Sequence, residues 1–508
     1  MAHQTGAVAA PRVEARADSI ESFLHDAAQM PGGSAEGVVF PRSTAEVAAS
    51  VAAHRRVLPV GAQSSLTGGA TPHGGLLLST RALNAIEVGD DALVHAGAGV
   101  PLSELRRVLA PHGLWYPPVP TFEGAFLGGT IATNAAGPAT FKYGSTRRWV
   151  EALTIVLASG SVVRLTRGEV TASPDGWFDV EAEPGTVTRV PLPTYDMPPV
   201  AKLSAGYFAG PGMDLVDLFV GSEGTLGVIV DATLRTVAMP RRCVALITCD
   251  SEGQAVALAG ALRDEAAASW RGAGPLDVAA IEYIDWRALA CVPDEAFSRA
   301  GVARPGGESA LLLVQIEMAF QELEALHRLG AVLDGCGVRA DPHMAGPGDE
   351  RGAARIFELR EAVPAAVNAL VAAAKARGHP DIQKMAADMV VPFDRVEESL
   401  CLYRDAFERR GLAYAIWGHL SDGNLHPNVI PGSLDDVERG REAILEIAQG
   451  VIAMGGAPLA EHGVGRSALK QRLLVELYGR GGVDEMRAVK RALDPTWKLA
   501  PGVILPGP

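Results

Sequence analysis

The sequence predicts an α+β fold in at least two parts, and three observations carry that expectation. Apolar runs flank short turns near residues 153–165 and 412–430, the signature of antiparallel hairpins. The texture changes near residue 241, after which strand-like runs alternate with Ala/Leu/Glu-rich helices. The length of 508 residues exceeds a prior of about 150 per domain several-fold.

Taken in order, Ser43 and Glu46 form a capping box for a helix through Arg56 with Val47 and Val51 on one face. A strand at Val57–Val60 leads into the loop GAQSSLTGGA (61–70), and strands recur at Leu76–Ser79 and Ala92–Ala96. Leu102, Leu105 and Leu109 have helical spacing, ended by Gly113. Leu153–Leu157 and Val162–Leu165 flank an Ala-Ser-Gly turn. Residues 167–200 are rich in Pro, Gly and acid and read as a long surface excursion, before strands at Leu218–Val220 and Val228–Leu234. Strands at Val244–Thr248 and Ala310–Ile316 then alternate with helices at 252–269 and 319–334. Helices at 353–378 and 394–410, the hairpin at 412–430, and helices at 435–454 and 466–494 follow.

Composition excludes several classes. A net charge of −14 repels phosphate backbones and anionic lipid, so no nucleic-acid partner is expected. No apolar run suits an integral membrane segment. Five cysteines without CxxC spacing disfavour a disulfide framework and fit a cytoplasmic protein. The 57 glycines and 34 prolines exceed the ordinary combined share of about 12%, without period, and mark many tight turns.

No complete GxGxxG or GxxxxGK[ST] loop is present, which disfavours a Rossmann or P-loop site. Three other glycine-rich segments mix Gly with small hydroxyl residues: GAQSSLTGG (61–69), FLGGTIATNAAGPATFKYGSTR (126–147) and GSEGTLGVI (221–229). Each alone is a surface turn or a phosphate cradle of N–H and O–H donors.

The segment WGHLSDGNLHPN (417–428) carries different chemistry. With Asp422-Gly423 as a two-residue turn, His419 opposes His426, with Cβ atoms about 4.5–5.5 Å apart. Two imidazoles that close suit one divalent metal, and Asn428 shares their face. Spacing does not supply the third ligand; Glu461-His462, in AEHGVGR, is a candidate.

In this combination and order, the segments resemble the vanillyl-alcohol oxidase/p-cresol methylhydroxylase superfamily of FAD-linked oxidases. The nearest branch is the D-lactate, glycolate and D-2-hydroxyglutarate dehydrogenases. The resemblance implies a two-part FAD-binding domain of the PCMH type plus an α+β substrate (cap) domain with an antiparallel sheet. The expected division is a flexible tail over 1–36, the FAD domain over 37–240, the cap over 241–455 and a segment over 456–508 packing back on the FAD domain.

Residue by residue, the pyrophosphate loop falls on Gly61, Ala62, Gln63, Ser64, Ser65, Leu66, Thr67 and Gly68. The second motif falls on Gly128, Gly129, Ala132, Thr133, Asn134, Gly137, Tyr143 and Gly144. The third includes Glu223, Gly224, Gly227 and Ile229, and Lys202 with Gly206-Tyr207 matches a short motif before it. Gln63, Ser64 and Ser65 stand where some relatives carry a His that binds FAD covalently, so non-covalent FAD is expected. His73, just beyond the loop, reads as a turn residue.

The resemblance also implies a divalent metal, zinc in particular, on His419, His426 and Glu461. His462 and Asn428 would contact the substrate hydroxyl or move its proton, with Arg360 and Lys384 as carboxylate anchors. Arg360 also reads as a solvated helix charge beside Glu358 and Glu361. Pro364 replaces a small hydroxyl residue of the 2-hydroxyglutarate enzymes, which argues against a second substrate carboxylate.

The implied activity is oxidation of a D-2-hydroxy acid to the 2-oxo acid by hydride transfer to FAD. The electron acceptor is a quinone, a cytochrome, an electron-transfer flavoprotein or O2, and a homodimer is the oligomer considered. The alternatives are an oxidase of a larger alcohol using O2 and a non-catalytic flavin- or metal-binding protein.

Overall fold

The computed structural model describes residues 10–118, 120, 122–183, 185–318 and 322–507. The short strands Gly37–Val39, Val57–Val60 and Leu76–Ser79 are almost wholly buried and form a parallel sheet with 76–79 in the middle. Continuous apolar runs suit strands covered on both faces. The helix Thr44–Ala53 connects the first two. It opens with the expected capping: Ser43 Oγ accepts from Glu46 N, and Glu46 accepts from Arg42 N. It stops three residues before the expected end, where His54 turns extended and its ring meets the Ser50 carbonyl.

A second, antiparallel sheet runs in the order Ile86–Val88, Leu93–Gly97, Val228–Arg235, Val150–Val156, Val162–Thr166. The last two strands are the hairpin expected around Ala-Ser-Gly. Leu102–Leu109 is helical, and Gly113 closes the following turn at φ +67°.

Three expectations for this half need correction. Residues 10–36 are not a free tail, though residues 1–9 of that expected tail lie outside the described residues. Ile20 and Phe23 are buried, Glu14 pairs with Val38, and Ala27 N and Ala28 N donate to the carbonyls of Gln63 and Ser65. Two apolar side chains and a satisfied backbone anchor a segment whose periodicity is weak. The 167–200 excursion contains a hairpin, Trp177–Ala182 with Thr186–Pro191, whose Phe178, Val180 and Ala182 point inward. It packs on the helix Ala468–Leu493. Leu215–Phe219 is a helical turn and not a strand, because Asp214 caps it by accepting from Val216 N.

The second half is built on an eight-stranded antiparallel sheet. Its main path is His343–Ala345, Arg242–Cys249, Ala310–Glu317, Asp277–Ile284, Tyr414–His419, Asn424–Val429, Met385–Ala386; Met389–Val390 also pairs with 424–429. Alternate residues face two layers. Val244, Leu246, Leu311 and Leu313 meet Ile356, Leu359, Val363 and Val367 of the helix Glu350–Arg377. Ala245, Ile247, Leu312 and Val314 meet the helix Glu252–Trp270. The expected helices appear at Glu322–Gly335, Val396–Glu408 and Leu434–Ala453 as well; residues 319–321 of the first expectation lie outside the described residues.

The chain then returns to the first half. Leu459 bridges Asp388. Residues 463–466 reach the loop at Thr67, and Val57 exchanges hydrogen bonds with Lys498 and Ala500. No described helix is long and apolar enough to cross a membrane.

Candidate active site: a glycine-lined cavity ending on histidines and carboxylates

A cavity of about 1000 Å³ lies among the three glycine-rich loops, at the top of the range of about 300–1,000 Å³ for ligand sites. Gly61, Ala62, Gln63, Ser64, Ser65, Leu66, Gly128, Gly129, Ala132, Thr133, Glu223, Gly224, Gly227 and Ile229 line it. A Cβ on Gly129 would meet nothing within 4 Å, whereas one on Gly128 would sit 2.6 Å from Ala98 Cβ. Gly128 keeps the wall close-packed, and Gly129 leaves the space open. Asp26 and His25 of the N-terminal segment also line the cavity.

The remaining predicted cofactor residues brace these loops. The Thr67 carbonyl accepts from Arg466 N, Gly68 takes φ +73° against Met30, and Asn134 (φ +48°) accepts from Arg147 N while donating to the Leu203 carbonyl. Gly137 N donates to Thr140 Oγ1. Tyr143 donates to Glu317 of the eight-stranded sheet, and Gly144 ends the turn at φ +76°.

Glu223 accepts from Val464 N (2.8 Å) and Gly465 N (2.9 Å), and burial pushes its carboxyl up to about 7. A Cβ on Gly465, at φ +59°, would lie 2.2 Å from Thr67 Oγ1. Gly465→Ala should therefore part the two segments, cost about 1–3 kcal/mol of stability and lower the flavin-to-protein ratio, measured by visible absorbance and thermal unfolding. An unchanged ratio and melting point would contradict this packing argument.

The same cavity is lined by Glu461 and His462, which adjoin the hairpin. The hairpin register differs from expectation: His419 opposes Asn424, and Trp417 opposes His426. The reason is a longer connection, a 3₁₀ turn at Leu420–Asp422 closed by Gly423 at φ +72°. His419 and His426 nonetheless converge diagonally, ring centroids 5.6 Å apart, and His426 stacks on His462 at 5.1 Å. The Nε2 atoms of His419, His426 and His462 lie 3.3, 3.3 and 3.6 Å from Glu461 Oε1.

Buried charges surround this cluster. Glu282 bonds His419 Nδ1 and takes Arg360 Nε and Nη2, both at 3.0 Å. Lys202 Nζ lies 2.9 Å from Asp422 and 3.2 Å from Glu461. Asp388 Oδ2 accepts from Glu461 N and His462 N. Burial works against the charged forms, but Glu282 outweighs it at His419, whose ring is pushed up to about 9; His419 and Arg360 in turn hold Glu282 down at about 2. Burial prevails at His462, which is lowered to about 4 despite Asp388.

Two or three imidazole nitrogens converging on one carboxylate oxygen suit a divalent ion of the zinc type. Asp388, His426, Glu461 and His462 also offer ligand atoms within 4.8 Å of one another. The donor set thus fits a metal, and the cavity fits a dinucleotide.

The other predicted residues lie at or near this cluster. Asn428 is buried and donates to the His426 carbonyl at 2.6 Å, its Oδ1 without a hydrogen-bond partner among the described residues. Arg360 is not a solvated charge: it is largely buried between Glu282 and Glu361. Lys384 Nζ stands 5.7 Å from the Trp417 ring centroid, its pKa lowered by burial. Glu282 and Asp388 were missed. Their signal is a lone carboxylate in an apolar run, VAAIEYI and AADMVV, which must find a partner when buried.

A PCMH-type flavin-binding half joined to an antiparallel cap defines an FAD-linked oxidoreductase. The chain matches the FAD binding domain over residues 35–166 and the C-terminal domain of FAD linked oxidases over 240–504, and it belongs to the FAD-linked oxidase family. It is 29% identical to the glycolate oxidase subunit GlcD of Bacillus subtilis over 94% of this chain and 91% of that one. It is 28% identical to the probable mitochondrial D-lactate dehydrogenase of Danio rerio, over 92% and 84%. It is also 28% identical to the D-2-hydroxyglutarate dehydrogenase of Xanthomonas citri pv. viticola, over 98% and 94%. Alkyldihydroxyacetonephosphate synthase shares the fold, with TM-score 0.60 and 15% identity over 92% of this chain and 76% of that one.

Proposed function

We propose that the protein oxidises a D-2-hydroxy acid of the D-lactate or glycolate kind to the 2-oxo acid, using non-covalent FAD and a divalent metal, zinc in particular. The observation that carries this reading is one cavity lined both by the glycine loops and by Glu461 and His462. When bound, FAD supplies a hydride acceptor and the ion a Lewis acid beside the substrate hydroxyl. His419, His426 and Glu461 would hold the ion. His462, an uncharged ring lining the cavity, takes the hydroxyl proton at Nε2. Asn428 contacts the hydroxyl, and Arg360 and Lys384 offset the substrate carboxylate in a chain of net charge −14.

The test is an anaerobic panel of 2-hydroxy acids watched by flavin bleaching, repeated after chelation. Bleaching by a small D-2-hydroxy acid, lost with chelator and restored by Zn²⁺, is expected; no bleaching by any member overturns the reading. A second carboxylate would meet Glu361, which lines the cavity with Asn368. Like charges facing each other weaken binding, so D-lactate should reduce the flavin at least about tenfold more efficiently than D-2-hydroxyglutarate. Equal efficiencies would contradict this placement of Glu361.

A further inference from the structure

We propose that the N-terminal residues 23–30 are a working part of the cofactor site, with Asp26 as the positioning residue that sets the pyrophosphate loop. The inference rests on FAD as the occupant of the cavity. These residues precede the stretch matched to the FAD binding domain, which begins at 35. Yet Phe23, His25, Asp26, Ala27 and Gln29 line the cavity.

The loop is tied to this segment at both ends. Ala27 N donates to the Gln63 carbonyl (3.0 Å) and Ala28 N to the Ser65 carbonyl (3.1 Å). Gln63 Nε2 donates to the carbonyls of Phe23 and Ala70, both at 2.8 Å. The buried Asp26 carboxylate accepts from Ala28 N (3.1 Å) and Ala70 N (3.3 Å), and Asp26 N donates to Thr71 Oγ1 (3.3 Å). Met30 packs against Gly68, where a Cβ would sit 2.4 Å from Met30 Cε.

The carbonyls so captured decide where the loop's donors point. In a trans peptide the C=O of one residue and the N–H of the next face opposite ways. With the Gln63 and Ser65 carbonyls turned to the segment, the N–H groups of Ser64 and Leu66 face away from it. Neither N–H has a hydrogen-bond partner among the described residues, and both residues line the cavity. Successive free N–H groups are the donors that cradle a phosphate. The segment also helps to place a charge. Phe23 lies 5.4 Å from the guanidinium of Arg81, which lines the same cavity and suits a phosphate. Without residues 23–30 the loop keeps its glycines but loses the contacts that orient its amides.

The test uses the full chain, stripped of FAD and reloaded. FAD titrated into Asp26→Ala, followed by quenching of flavin fluorescence, should bind about 10- to 100-fold more weakly than to the parent. The cause is that Ala70 N loses its acceptor and Ala28 N loses one of two. A dissociation constant within about twofold of the parent's overturns the role. Hydrogen exchange in the parent supplies a readout that a merely structural role would not move. Binding linkage is reciprocal, so FAD should slow exchange of the Ala27 and Ala28 amides. The hairpin Trp177–Pro191, outside the cavity, serves as the reference. Exchange at 27 and 28 that FAD slows no more than at the reference overturns the proposal, and this measurement decides if Asp26→Ala does not fold. A parent chain that takes up no FAD overturns the cofactor reading together with the proposal, whereas FAD uptake with unchanged affinity in the variant overturns the proposal alone.

Discussion

Substituting His419 by alanine should empty the protein of its divalent ion and abolish turnover while FAD stays bound. The separation follows from the layout. His419 ends a strand of the cap sheet and does not line the cavity, whereas the flavin loops draw on residues 61–66, 128–133 and 223–229. Its Nε2 is one of the nitrogens converging on Glu461 Oε1. With it gone, a zinc-type ion keeps a single assigned imidazole and one carboxylate. The fold should survive, because Glu282 loses His419 but keeps Arg360 at 3.0 Å; a cost of about 1–3 kcal/mol is expected. Elemental analysis, the flavin spectrum and anaerobic bleaching provide the readouts. Full metal content and activity in His419→Ala would sink the assignment.

His462→Gln should slow flavin reduction by about 10²–10⁴, the usual worth of a positioned general base. Glutamine fills most of the space against His426, on which His462 stacks, so the flavin spectrum should be retained. The loss should fall on kcat more than on KM, because a base acts on a proton that moves only as the reaction proceeds. Anaerobic stopped-flow reduction across substrate concentrations measures both. A rate within threefold of the parent would remove His462 from the chemistry.

Motifs that act through their own backbone were legible in the sequence. The three glycine loops line one cavity because their conformational needs are local, and the Ser43 cap formed for the same reason, with Glu46 reaching back to Arg42 N rather than to Ser43 N. The hairpin illustrates a partial success. Asp422-Gly423 marked the turn, but the 3₁₀ geometry of Leu420–Asp422 shifted the register by two residues. A shift of two preserves the face, so the histidines still met. Long-range pairings were not legible. Asp388 and Glu282 acquire their roles from segments tens of residues away, and no spacing rule brings Glu282 to His419. The N-terminal segment was missed because its anchors are backbone bonds to residues 63–65, which leave no periodic trace in composition.

The stretch from Glu461 to Ala500 implies an order of events during synthesis. It carries the carboxylate at the histidine cluster, satisfies Glu223 in a cofactor loop and contacts Thr67, then adds a bridge beside Val57. Lys490 meanwhile bonds the Thr225 carbonyl. A nascent chain that has made all three glycine loops still lacks the struts holding two of them in place. Cofactor capture therefore waits until residues near 500 have left the ribosome, and contacts spanning more than 400 residues close last. Ribosome-stalled chains ending before Glu461 should emerge colourless in the presence of FAD, and the yellow holoprotein should form only after release.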